Sequence, residues 1–83
     1  MSATKNDIRS WFQVGKANGA THMIVVTDTF NFENHPVYVN EGESVEEKEK
    51  ECERESMQRV EEVYSLSLDM ESQLSEDRAF HRV

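Results

Sequence analysis

ATHMIVVTDTFNFENHPVYV, Ala20 to Val39, is the stretch whose reading decides the fold. It holds the densest apolar run in the chain, Met23-Ile24-Val25-Val26. β-branched and aromatic residues suit a pleated, half-buried surface, and this run is too short for a buried helix. A turn-rich segment from Asp28 to His35 follows, and then Pro36-Val37-Tyr38-Val39. The pattern predicts two strands joined by a loop of about six to eight residues, longer than a tight hairpin turn. Pro36 has no backbone donor and belongs at a strand start or a sheet edge. Period-two alternation sends Val37 and Val39 to one side and Tyr38 to the other.

Upstream, Thr4 is placed to cap a helix, with Asp7 three residues on in the capping-box position. Ile8, Trp11, Phe12 and Gly15 then recur at helical spacing. The helix is expected to end near Lys16 to Asn18, with Gly19 in the left-handed position beyond it. Lys16 in the last turn suits the helix dipole.

Downstream, Asn40-Glu41-Gly42-Glu43 reads as a turn, and Ser44 with Glu47 repeats the capping pattern. Residues 43–56 predict an exposed acidic helix in which only Val45 and Cys52, seven apart, offer apolar contact. Glu46 to Lys50 and Glu55 to Arg59 are spaced as favourable helical charge pairs. Met57 to Met70 admits two readings. As helix, Met57, Val60, Tyr64 and Leu68 form one stripe; as strand, Val60, Tyr64, Leu66 and Leu68 share a face with Glu62. A lone two-stranded hairpin is marginal in water, which favours a third strand over Gln58 to Ser65. A final helix is then expected from Ser67 to His81, anchored by Leu74, Ala79 and Phe80, with Arg78 and Arg82 exposed. The fold class is α+β: a small antiparallel sheet of two or three strands, packed by an N-terminal and a C-terminal helix, in the order α-β-β-α-(β)-α.

Eighty-three residues make one domain with a thin core. A net charge of −8 leaves no basic surplus for phosphates, so direct nucleic-acid binding is not expected. Cys52 is the only cysteine, too few for a disulfide or a thiolate metal site. No apolar run approaches a membrane span and no signal peptide is evident, so a cytoplasmic protein without membrane contact is expected.

Two strings, GKANGATHMIVVTDTFNFENHPVYV (Gly15 to Val39) and MQRVEEVYSLSLDMESQLSEDRAFH (Met57 to His81), resemble a family of small accessory proteins found in bacteriophage and prophage genomes. The likeness runs from Trp11 to His81, except the charged segment Glu43 to Ser56. It implies no activity that transfers to any residue. It implies a setting, the cytoplasm of a bacterial host, in which small acidic proteins bind and inhibit host regulatory or defence proteins.

The residues offer several contact sites. Phe30 and Phe32 lie in a polar loop and are either folded onto the core or exposed, where aromatics dominate interfaces. With Asp28, Glu33, Tyr38 and the acidic residues Glu46, Glu49 and Glu53 they form the expected partner-binding set. The acidic segment Glu41 to Glu62 has ten glutamates, but Lys48, Lys50, Arg54 and Arg59 interrupt it and weaken any imitation of a nucleic-acid backbone. The alternative is a homo-oligomeric nucleotide sponge with a pocket built from Arg9, Tyr38, Arg78 and His81. A homodimer through an edge strand is compatible with the first reading. His22, Asp28, His35 and His81 are metal-ligand types at diffuse spacing that matches no metal signature, so no metal or other cofactor is assigned. Thr27-Asp28-Thr29 reads as an Asx turn rather than a catalytic carboxylate. No nucleophile has a visible base and no glycine-rich phosphate loop is present, so no enzymatic activity is assigned.

Overall fold

The computed structural model describes residues 4–54 and 58–82. The order is α1 (Lys5–Ala17), β1 (Ala20–Asp28), β2 (Asn34–Asn40), α2 (Val45–Arg54), β3 (Gln58–Ser65) and α3 (Met70–Leu74). The three strands form one antiparallel sheet in the order β2-β1-β3, with the apolar β1 at its centre. This is the expected α+β fold with the third strand formed. The expected reach of the acidic helix to residue 56, the pairing of Glu55 and the role of Met57 lie outside the described residues.

Both faces of β1 are buried, which explains its unbroken apolar run. Met23 and Val25 join Ile8, Phe12, Tyr64, Leu66, Leu74 and Ala79 under α1 and α3. Ile24 and Val26 join Val39, Val60 and Val63 under α2, where Val45 and Cys52 supply the apolar contacts expected of them. The sheet is therefore a middle layer between helices. Val37 packs with the α2 side and Tyr38 with the α1 side, as the alternation predicts.

α1 begins with a complete capping box: the Asp7 amide donates to Thr4 Oγ1 (3.2 Å) and the Thr4 amide to Asp7 Oδ2 (3.0 Å). It ends at Asn18, and Gly19 takes the left-handed backbone at φ 82°. Gly15 lets α1 settle directly on Tyr38, whose hydroxyl donates to the Trp11 carbonyl at 2.8 Å. At the start of α2 the Glu47 amide donates to Ser44 Oγ at 3.4 Å, the cap that S-x-x-E predicts. Arg59, expected as a helical partner of Glu55, lies in β3 and pairs instead with Glu61 at 3.1 Å. Among the described residues, the lysine of α2 that forms ion pairs is Lys48, to Glu43 (3.1 Å) and Glu51 (4.0 Å), rather than Lys50 to Glu46.

Two local expectations are corrected. The loop between β1 and β2 is five residues, Thr29 to Glu33, because the strands extend to Asp28 and Asn34. The final helix does not run to His81. Asp69 caps the start of α3 by accepting from the Ser72 amide (2.8 Å), and the helix stops at Leu74 with Ser75 as its C-cap. The chain then runs to the outer side of β3, where the Val63 amide donates to the Ala79 carbonyl (2.8 Å) and the His81 amide to the Val63 carbonyl (2.9 Å). An edge strand with unpaired backbone groups outcompetes further helix. Ala79 is fully buried there, but Phe80 is 39% exposed rather than an anchor.

Candidate functional site

The β1–β2 loop is held by its own side chains. Asp28 Oδ1 accepts from the Phe30 amide (2.8 Å) in the expected Asx turn, and Asn31 Oδ1 accepts from the Glu33 amide (3.0 Å). The Phe32 amide donates to the Asp28 carbonyl (2.7 Å), the Asp28 amide to the Glu33 carbonyl (2.8 Å), and Asn34 Nδ2 to Thr27 Oγ1 (2.6 Å). This bonding drives Phe32 into the left-handed region, φ 59°, the only non-glycine there among the described residues. For an L-residue that conformation costs on the order of 1–2 kcal/mol. Neither phenylalanine turns inward: Phe30 is 75% exposed and Phe32 64%.

Beside the loop, the α1 face of the sheet carries a groove of about 320 Å³. Ile8 and Val25 give it an apolar floor, Phe32 stands at one side, and Thr27, Asn34, Arg59, Glu61 and Glu62 supply polar groups. Glu61 and Glu62 are sequence neighbours and would face opposite sides of a regular strand. The register explains how both reach the groove: Val25 pairs with Glu62 and Val26 with Val60, leaving Glu61 as the extra residue of a β-bulge. Glu61 Oε1 accepts from Arg59 Nη2 at 3.1 Å, while Glu62 Oε2 accepts from the Ala79 amide at 3.2 Å. Burial, followed by the Glu62 carboxylate, pushes the Tyr64 phenol well above its ordinary value.

The partner set is divided by the fold. Asp28, Phe30, Phe32 and Glu33 share the loop. Tyr38 is half-buried against α1, and burial raises its pKa; it serves packing. Glu46 and Glu53 are exposed on α2, on the opposite layer. Glu49 is only 7% exposed and receives a two-pronged bond from Arg82, Nε to Oε2 at 2.6 Å and Nη2 to Oε1 at 2.9 Å. It clamps the C-terminal segment to α2 and is not a free surface charge.

The alternative pocket does not assemble. Arg9 is engaged with Glu71 across α1 and α3 at 2.8 Å. Tyr38 lies on β2, while Arg78 and His81 lie beyond β3, at the other edge of the sheet. His81 contacts Glu76 (2.6 Å), and Arg78 donates to the Glu61 carbonyl (3.0 Å). His22 and His35, whose partners are Val39 and Val26, stand four residues apart in register, roughly 13 Å along the sheet. Among the described residues no three His, Cys, Asp or Glu side chains form a metal-sized cluster.

Thr27, Asn34, Arg59, Glu61 and Glu62 are not singled out by sequence as a set. The available signal is the doubled glutamate inside a strand that otherwise alternates, which marks a bulge. No protein-family model matches the chain, and no curated protein or solved structure does. Among the described residues, no helix is long and apolar enough to cross a membrane.

Proposed function

We propose that the chain is a small acidic binding protein that engages another protein through the β1–β2 loop, with Phe30 and Phe32 as its anchors. In the setting implied by the phage resemblance, the partner is a protein of the bacterial host cytoplasm, and covering its surface inhibits it. The observation that carries this reading is the presentation of two phenylalanines, 75% and 64% exposed, on a loop fixed by side-chain hydrogen bonds. Burying each on the core would yield roughly 1.5–3 kcal/mol, a gain this thin-cored domain forgoes. Because the loop is ordered before it meets a partner, little ordering entropy opposes binding. The charge of −8 favours partners with a basic surface and speeds encounter with them.

The test is affinity capture from bacterial lysate by the tagged wild-type chain and by the Phe30→Ala/Phe32→Gly double variant, read by native mass spectrometry. The wild type should carry one protein in stoichiometric amount, and the folded double variant should lose it. Undiminished capture by the double variant, or no capture by either, rejects the loop as a binding surface.

A further inference from the structure

Resting on the reading of the loop as a protein-binding surface, we infer that the groove beside Phe32 receives an arginine side chain of the partner. Its volume of about 320 Å³ has room for a single large side chain. Three kinds of occupant can be weighed against its lining. A purely apolar side chain would match Ile8 and Val25 but would strip water from Glu62 and Arg59 without replacing it. An anionic group would meet one cation, Arg59, whose guanidinium is already engaged by Glu61 at 3.1 Å. It would also face the Glu62 carboxylate, in a chain of net charge −8.

A guanidinium on an apolar stem satisfies every wall. The methylenes lie over Ile8 and Val25, and the planar head stacks on the exposed ring of Phe32. Its fork of donors reaches the Glu62 carboxylate, which accepts from the Ala79 amide at Oε2, also faces the Tyr64 phenol, and keeps lone pairs for a further donor. The Thr27 hydroxyl oxygen already accepts from Asn34, so its own proton is free to orient toward a carbonyl of the incoming chain. The bulge at Glu61 is what makes the site: it turns Glu61 toward Arg59 (3.1 Å) and Arg78 (3.7 Å), which share its carboxylate, and leaves Glu62 as the carboxylate of the groove's lining that the two arginines do not engage.

The probe is a peptide, acetyl-Ser-Gly-Arg-Gly-Ser-amide, titrated into the isotope-labelled full chain and followed by NMR. The control replaces arginine with citrulline, which keeps the shape and removes the charge. The expected result is saturable shifts confined to Ile8, Val25, Thr27, Phe32 and Glu62, with a dissociation constant on the order of millimolar for so small a contact. Citrulline should bind at least about tenfold more weakly, as should the arginine peptide to Glu62→Gln, since an ionised hydrogen bond is lost in each. The glutamine side-chain oxygen in that variant can still accept from the Ala79 amide, so the fold is kept; Phe32→Gly gives an independent check on the stacking wall. Equal binding of citrulline, or no effect of either substitution, overturns the inference. So do shifts spread over the glutamates of α2, which would mark a diffuse charge effect. If capture from lysate depends on Phe30 and Phe32 but the arginine peptide does not bind, the groove assignment alone fails. If the peptide binds and no protein is captured, the binding-protein reading fails instead.

Discussion

At the scale of single residues, Phe32 sets stability against exposure. Its left-handed backbone is one that glycine adopts without strain, so two substitutions that remove the same ring should differ. Phe32→Ala keeps the strain and loses the side chain, whereas Phe32→Gly relieves the strain at the cost of a more disordered unfolded chain. Phe32→Gly should therefore be at least as stable as Phe32→Ala, by about 1 kcal/mol, and lie close to wild type in urea unfolding. A glycine variant clearly less stable than the alanine variant would mean that the ring, not the backbone, governs this position. Gly15 presents the opposite conflict. Alanine is the better helix former by about 1 kcal/mol, yet a Cβ at Gly15 would stand 2.5 and 2.8 Å from ring carbons of Tyr38 and 3.0 Å from Leu66 Cδ1. The Tyr38 ring cannot swing aside cheaply because its hydroxyl is tied to the Trp11 carbonyl. Gly15→Ala should thus destabilise by about 1–2 kcal/mol net, and the cost should shrink in a Tyr38→Leu background. A stabilised Gly15→Ala chain would show that the ring relaxes freely.

At the scale of elements, the C-terminal segment is the piece most dependent on one contact. It adds to β3 by two backbone bonds at Val63, and the Arg82 fork on Glu49 ties it to α2. The Phe80 ring lies against the guanidiniums of Arg78 and Arg82, at 5.0 and 5.1 Å. Removing Arg82 leaves Glu49, 7% exposed, without its cation. Arg82→Ala should cost about 1–2 kcal/mol and speed amide exchange at Val63 and His81 ahead of the rest of the sheet. Unchanged exchange at those amides would show that the fork does not hold the segment. This segment is also the least legible part of the chain. Complete local signals mark the starts of two helices: Thr4 and Asp7 for α1, Ser44 and Glu47 for α2. β1 is equally plain, because its apolar run is continuous under helices on both faces. β3 is legible as a strand but not in its facing: the bulge at Glu61 puts Val60 on the α2 side and Tyr64 and Leu66 on the α1 side, splitting the single face that strict alternation predicts. What ends α3 is instead a long-range event, since the free edge of β3 exists only once the sheet is built. The groove is hidden for the same reason. Phe30 and Phe32 are visible as aromatics in a loop, but their exposure depends on bonds from Asp28 and Asn31, and the convergence of Arg59, Glu61 and Glu62 depends on a bulge. Glu49 looks like any other glutamate of an acidic helix until the chain terminus folds back on it.

At the scale of the whole molecule, two opposing effects of charge should shape stability against pH. The formal charge of −8 repels itself at neutral pH, and protonation toward the isoelectric point near 4.7 relieves that repulsion. Three carboxylates act in the other sense. The Asn40 amide and then Lys48 hold Glu43 below its ordinary pKa, the Ser72 amide does the same for Asp69, and Arg9 does so for Glu71. A folded-state pKa below the unfolded one means that stability is present above the unfolded value and is lost as pH falls through the folded value. With ordinary carboxylate values near 4, their contribution is complete above about pH 5 and disappears below about pH 4. Urea midpoints should therefore hold or rise slightly from pH 7 to about pH 5 and fall steeply between about pH 4 and pH 2. Added salt should raise the midpoint at pH 7, where self-repulsion dominates, and matter less near pH 5. Asp69→Ala isolates one contributor: it should lower the midpoint at pH 6, and the gap to wild type should narrow as acid protonates Asp69 in the folded as well as the unfolded chain. A gap that stays constant as pH falls would mean that Asp69 acts through shape rather than charge, and the acid limb would then have to come from Glu43 and Glu71.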